Sequence, residues 1–139
     1  LFGFNRMLDL DGVGLGMFLL PYQVDALEYL YDVGEAGSRD VWLHINREGA
    51  PDPKSRAAVI NFLNKMVEEN LVTYRDTTGK GGHHRVYQAK GTTVEAVRRE
   101  LVRRLLTKVA SEFGAVLSIR WHGMEEAWFI DGEGDLDEP

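Results

Sequence analysis

Apolar positions recur along the chain at helical spacing, then at strand spacing, then at helical spacing again. Val24, Leu27, Leu30 and Tyr31 fall at three- and four-residue steps, the period of one helix face. With Gly34 where a C-cap would sit, they predict a helix over 22–33. A second, shorter helix is predicted from Ser38 to Glu48, with Ser38 as N-cap, Val41, Trp42 and Ile45 turned inward and Gly49 as the stop. Ala50-Pro51-Asp52-Pro53 cannot be helical throughout, because proline drives its predecessor to extended geometry. Asp52 is expected to cap a third helix, 53–69, with Pro53 in its first position. The apolar stripe of this helix is Val59, Phe62, Leu63, Met66 and Val67, while Lys54, Ala57, Ala58, Asn61, Lys65 and Glu68 lie opposite.

The third helix should end near Asn70, which tolerates the left-handed cap conformation. Leu71 to Arg75 is rich in β-branched and aromatic residues and predicts a strand, and Arg85 to Ala89 its return. Asp76 to His84, with Gly79, Gly81 and Gly82, is expected to be a flexible loop, too long for a tight turn. After Gly91, with Thr92 or Thr93 as cap, a long amphipathic helix is predicted to about Phe113. Its stripe of Val94, Val97, Leu101, Val102, Leu105, Leu106, Val109 and Phe113 is wide enough to meet more than one surface. Residues 115–121 and 127–130 are short apolar pieces that can pair across His122-Gly123, and residues 131–139 are expected to be a disordered acidic tail. The expected fold class is mainly α with a small β-hairpin (α+β). Its parts are an apolar flank at 1–20, a helical and hairpin domain at 21–91, a long helix at 92–118 and an aromatic and acidic segment at 119–139.

Composition narrows the function. The 139 residues are 44% hydrophobic and 27% charged, ordinary for a globular domain. The longest apolar run, Val13 to Leu20, is far shorter than the roughly 18 to 20 residues that span a bilayer. No basic stretch and cleavage site precede it, so neither membrane insertion nor a signal peptide is expected, and a cytoplasmic location fits. Without cysteine there is no disulfide, thiolate metal site or cysteine nucleophile. GxSxG, P-loop, HExxH and GxGxxG spacings are absent as well, so no enzyme is expected, and no cofactor.

The net charge of −6 hides an asymmetry: residues 1–37 carry −5, 38–90 carry +3, 91–121 carry +3 and 122–139 carry −7. Only the field at a contact face matters within a Debye length of about 8 to 10 Å, so an acidic protein with a basic middle can still bind a polyanion.

Three helices followed by a strand, a glycine-rich basic loop and a strand is the layout of a winged helix-turn-helix. Asn70-Leu71-Val72 after Phe62-Leu63-Asn64-Lys65-Met66-Val67-Glu68-Glu69 resembles a recognition helix entering its wing. Residues 20–89 resemble winged-helix transcriptional regulators of the penicillinase-repressor, PadR and MarR types, with the penicillinase-repressor family nearest because a C-terminal dimerisation segment follows its wing. Asn70 stands where these families usually have glycine, and the cysteine pairs of the copper-responsive branch are absent, which excludes a cysteine-based copper sensor.

The resemblance implies a homodimeric, sequence-specific regulator of double-stranded DNA, a repressor, with the recognition helix 53–69 in the major groove and the wing 76–85 on the backbone or minor groove. Asn61 has the planar donor and acceptor that pair with adenine, Arg56 can fork onto guanine or hold a phosphate, and Ala57 and Ala58 allow close approach to a thymine methyl. Lys54, Ser55 and Lys65 suit phosphates, as do Arg75, Lys80, His83, His84 and Arg85 along the wing. His83 and His84 are neighbours on one strand and cannot both face one ion, so no metal site is expected. Val94, Val97, Leu101, Leu105, Val109 and Phe113 are the expected dimer seam. Trp121, Trp128 and Phe129 are read as packing residues rather than as an effector pocket, and an effector stays open as a partner. Asp131-x-Glu133-x-Asp135-x-Asp137 lacks the glycine and the closing glutamate of a calcium loop. The rival function is a winged helix used for protein contact without DNA.

Overall fold

The computed structural model describes residues 8–121, 127–130 and 136–137. Its elements run α1 (Pro21–Val33), β1 (Glu35–Gly37), α2 (Ser38–Ile45), α3 (Arg56–Glu68), β2 (Val72–Gly79), β3 (Gly82–Ala89), α4 (Glu95–Phe113), β4 (Leu117–Arg120), β5 (Ala127–Ile130) and β6 (Leu136–Asp137). The chain is thus of the α+β class. It divides into two units, residues 2–98 and 99–139.

In the first unit, α1, α2 and α3 enclose a core that one antiparallel sheet closes, with strand order β1-β3-β2. Leu27, Leu30, Ile45, Leu63 and Met66 are fully buried in it. The apolar stripes of α1, α2 and α3 face inward, because removing apolar surface from water, worth about 25 cal/mol per Å², is the main gain that offsets chain ordering. The N-terminal flank joins this core: a 3-10 turn at Gly14–Met17 packs on α1 and buries Leu15, Phe18 and Leu19. Gly12 allows that turn, since a Cβ there would come within 2.4 Å of the Gly16 carbonyl oxygen. Among the described residues, no helix is long and apolar enough to cross a membrane.

Several boundaries move from their expected places, each for a local reason. Between α1 and α2, residues 35–37 pair with β3 as Glu35↔Gln88, Ala36↔Tyr87 and Gly37↔Val86. This strand is too short to show alternation. It holds Gly37 extended, so Gly37 is the N-cap of α2 and Ser38 is already helical. The second helix stops at Ile45 rather than Glu48: Asn46 Nδ2 donates to Trp42 O at 2.9 Å and to Lys54 O at 2.9 Å, which turns the chain.

The third helix begins at Arg56, not Pro53, and its cap is Ser55, whose Oγ accepts from the Ala58 N–H at 3.2 Å. Asp52 is occupied elsewhere, its Oδ2 accepting from the Tyr22 N–H at 3.2 Å in the first turn of α1. Asn70 does take the left-handed conformation, with φ +61°.

The largest correction concerns 76–84. Rather than a loop, it continues the ladder from Val72↔Ala89 out to Gly79↔Gly82, leaving a two-residue turn at Lys80 and Gly81. Gly81 and Gly82 have φ of +97° and +101°, backbone conformations that glycine enters without the steric cost of a Cβ. Three glycines suggested flexibility, yet Thr77 and Thr78 before them pair with His84 and His83 after them across the ladder.

In the second unit, β4 pairs with β5 in the register Leu117↔Ile130 to Arg120↔Ala127, as the two apolar pieces suggested. Leu136 and Asp137, expected to be disordered, add a third strand on β5. His122, Gly123, the acidic residues 131–135 and residues 138–139 lie outside the described residues, as do the side chains of Trp128 and Phe129.

Candidate nucleic-acid interface

The solvent side of α3 is set by its period. Ala57, Asn61, Lys65 and Glu68 follow one another at three- and four-residue steps on the side opposite Val59, Phe62, Leu63 and Met66. Arg56, Ala57, Asn61 and Lys65 are exposed, and Ala58 is half-buried. Arg56 has no carboxylate within ion-pair distance among the described residues, whereas Lys65 Nζ lies 3.1 Å from Glu68 Oε2. Lys54 precedes the helix instead of lying in it. Its ammonium sits 3.4 Å from Asp52 Oδ1 and 5.6 Å from the centre of the Tyr22 ring, and its carbonyl accepts from Trp42 Nε1 and Asn46 Nδ2.

The hairpin register sorts the other candidates by face, since side chains alternate along a strand. Tyr74, Asp76, Thr78, His83, Arg85 and Tyr87 share the face toward α3; Arg75, Thr77, His84 and Gln88 share the other. His83 and His84 therefore point to opposite sides. Among the described residues, no group of three or more His, Asp or Glu is arranged to hold a metal ion. Lys80 stands exposed at the turn with no carboxylate partner among the described residues.

Arg75 and Arg85, both expected on a phosphate, are engaged within the fold. Arg75 makes a two-pronged pair with Glu35, Nη2 to Oε1 at 3.0 Å and Nε to Oε2 at 3.3 Å. That hydrogen bonding, aided by Gln88, holds the Glu35 carboxyl below its ordinary range and raises Arg75. Arg85 is half-buried and stacks on the Tyr74 ring at 4.0 Å, while its Nη1 donates to Asn64 Oδ1 at 3.1 Å. The buried Tyr87 hydroxyl donates to the same oxygen at 2.5 Å, and burial raises its phenol above the ordinary value.

Asn64 was not singled out in the sequence. Its signal is its place, a polar residue at the border between the apolar stripe and the exposed row. Glu35 gave no signal at all, because its partner lies 40 residues away. A third polar cluster joins α1 to α2: Asp25 accepts from Arg47 Nη1 at 2.8 Å and lies 3.0 Å from His44 Nε2, and His44 stacks on Tyr29.

Of the expected dimer residues, Val97 and Leu101 are buried within one chain and leave no surface for a partner. Val94, Leu105 and Val109 are half-buried, and Phe113 is 82% exposed. The basic side of α4 is laced with acids: Arg103 and Arg104 both donate to Glu100, Arg98 meets Glu95, and Lys108 meets Glu112. Trp121 is half-buried beneath the Arg99 guanidinium, 5.7 Å from the ring centre. Compared with family models, curated proteins and solved structures, the chain finds no match.

Proposed function

We propose that the chain is a winged helix-turn-helix that binds double-stranded DNA as a homodimeric transcriptional regulator, a repressor, with no catalytic role. The observation that carries the reading is the order α1-β1-α2-α3-β2-β3 closed by the sheet β1-β3-β2. It sets the exposed row of α3 beside a hairpin with a basic tip. In this reading α3 enters the major groove with Arg56, Ala57 and Asn61 on base edges, and Ser55 and Lys65 on the flanking phosphates. Lys80 reaches the backbone or minor groove from the turn. Arg75 and Arg85 shape the hairpin rather than contact phosphate, being engaged by Glu35 and by Asn64 and Tyr74. Two copies joined along α4 would meet half-sites about one duplex turn apart.

A second reading, a protein-contact module, draws on one observation: Lys54, Lys65 and Arg75 each sit within ion-pair distance of an acid. Selection from a random duplex pool separates the two. The DNA reading expects an enriched two-fold site. It also expects Asn61→Ala to lose about 1–3 kcal/mol of discrimination at one base position while leaving the others intact. A pool that enriches nothing favours the protein-contact reading.

A further inference from the structure

The cluster between α3 and the hairpin has a geometry that packing alone does not require. One amide oxygen, Asn64 Oδ1, takes two donors from β3: the Arg85 guanidinium at 3.1 Å and the Tyr87 hydroxyl at 2.5 Å. Arg85 is held from its other side by the Tyr74 ring on β2. Both strands of the hairpin are therefore tied to one side chain in the middle of α3. Beyond this point the ladder runs from Asp76↔Arg85 out to Gly79↔Gly82. Most of its outer residues are exposed, so little apolar burial holds the outer hairpin in place.

We propose that Asn64 is a positioning residue, the joint that fixes the hairpin against α3 so that the helix face and the Lys80 tip meet a ligand as one preformed surface. The proposal rests on the DNA-binding reading above and deepens it. It assigns Asn64 and Arg85 to preorganisation, where the sequence suggested that Arg85 touches phosphate. Preorganisation strengthens binding by removing an ordering cost before the ligand arrives. It adds no phosphate contact, so it should leave the salt dependence alone.

Removing the joint exposes its role in two ways. In Asn64→Ala without DNA, amide hydrogen exchange should quicken about tenfold at residues 75–78 and 83–86. It should stay unchanged in the core of α3, because local release differs from global loss of stability. Asn64→Asp keeps the acceptor for both donors and should restore wild-type exchange. In titrations of the 139-residue chain against random-sequence duplex, Asn64→Ala should bind several-fold more weakly with the wild-type salt slope. A contact residue would lose slope as well.

Unchanged hairpin exchange in Asn64→Ala overturns the proposal, as does acceleration spread evenly over α3 and the core, or a slope that falls with affinity. If the wild type binds no duplex at any salt, the DNA reading fails, and the exchange experiment still decides whether Asn64 is the joint.

Discussion

Ser55 illustrates how one side chain sets the exposed face of a helix. Its Oγ satisfies one of the open amides at the start of α3, and this fixes where the exposed row of Arg56, Ala57 and Asn61 begins. Ser55→Ala is expected to cost about 1 kcal/mol, seen as a lower urea midpoint at unchanged slope. Asn70 does comparable work at the other end, with φ +61° and its Oδ1 accepting from Lys90 Nζ at 2.7 Å. Asn70→Ala keeps a Cβ in left-handed geometry, a conformation that costs about 1–2 kcal/mol, without the side-chain amide that helps asparagine adopt it, and it loses that bond. Asn70→Gly loses only the bond and should be the milder change; an alanine variant as stable as wild type would contradict the left-handed geometry. Tyr31 adds a pH signature. Burial raises its phenol above the ordinary value. The folded chain therefore keeps this proton to higher pH than the unfolded chain, and stability should fall as pH rises above about 10. Tyr31→Phe should make that alkaline limb shallower in denaturation measured from pH 9 to 11.

At the scale of elements, the short strand β1 closes the sheet and brings Glu35 onto Arg75 and Gln88. The Glu35 carboxyl is held low by hydrogen bonding, first from Arg75, and the Glu100 carboxyl is held low mainly by Arg103. Both release their protons more readily in the folded chain. Their contribution is present above the ordinary carboxyl value of 4.5 and is lost as pH falls through the lowered folded values. Glu35→Gln should flatten this acid limb slightly, since the pair is exposed and screened.

The helices were legible because burial on one face imposes a period: α1 and α3 follow their stripes almost residue for residue. The hairpin was legible as two strands but not in its length, because glycine marks both a loop and a two-residue turn. Only the pairing partners distinguish them. The Asn64 joint and the Glu35–Arg75 pair depend on contacts across 21 and 40 residues of chain, which no local pattern encodes.

For the whole molecule, the question is how a chain of net charge −6 would hold a polyanion and a second copy of itself. The candidate dimer surface on α4 contracts to its uncovered residues. Leu105→Asp/Phe113→Asp should give monomers in sedimentation without loss of fold, whereas Leu101→Asp should unfold the chain by burying a charge. Dimers that persist in the double variant would move the interface elsewhere. As for the polyanion, Arg56 and Lys80 are the cations of the proposed face that carry no carboxylate partner among the described residues. The most direct measurement is the affinity of the full chain for random-sequence duplex DNA across a range of salt, with Arg56→Ala/Lys80→Ala beside it. Wild-type binding should fall steeply with salt, and the variant should bind more weakly with a log–log slope shallower by about 2. No binding at low salt, or the same slope in both proteins, would contradict DNA recognition by this face.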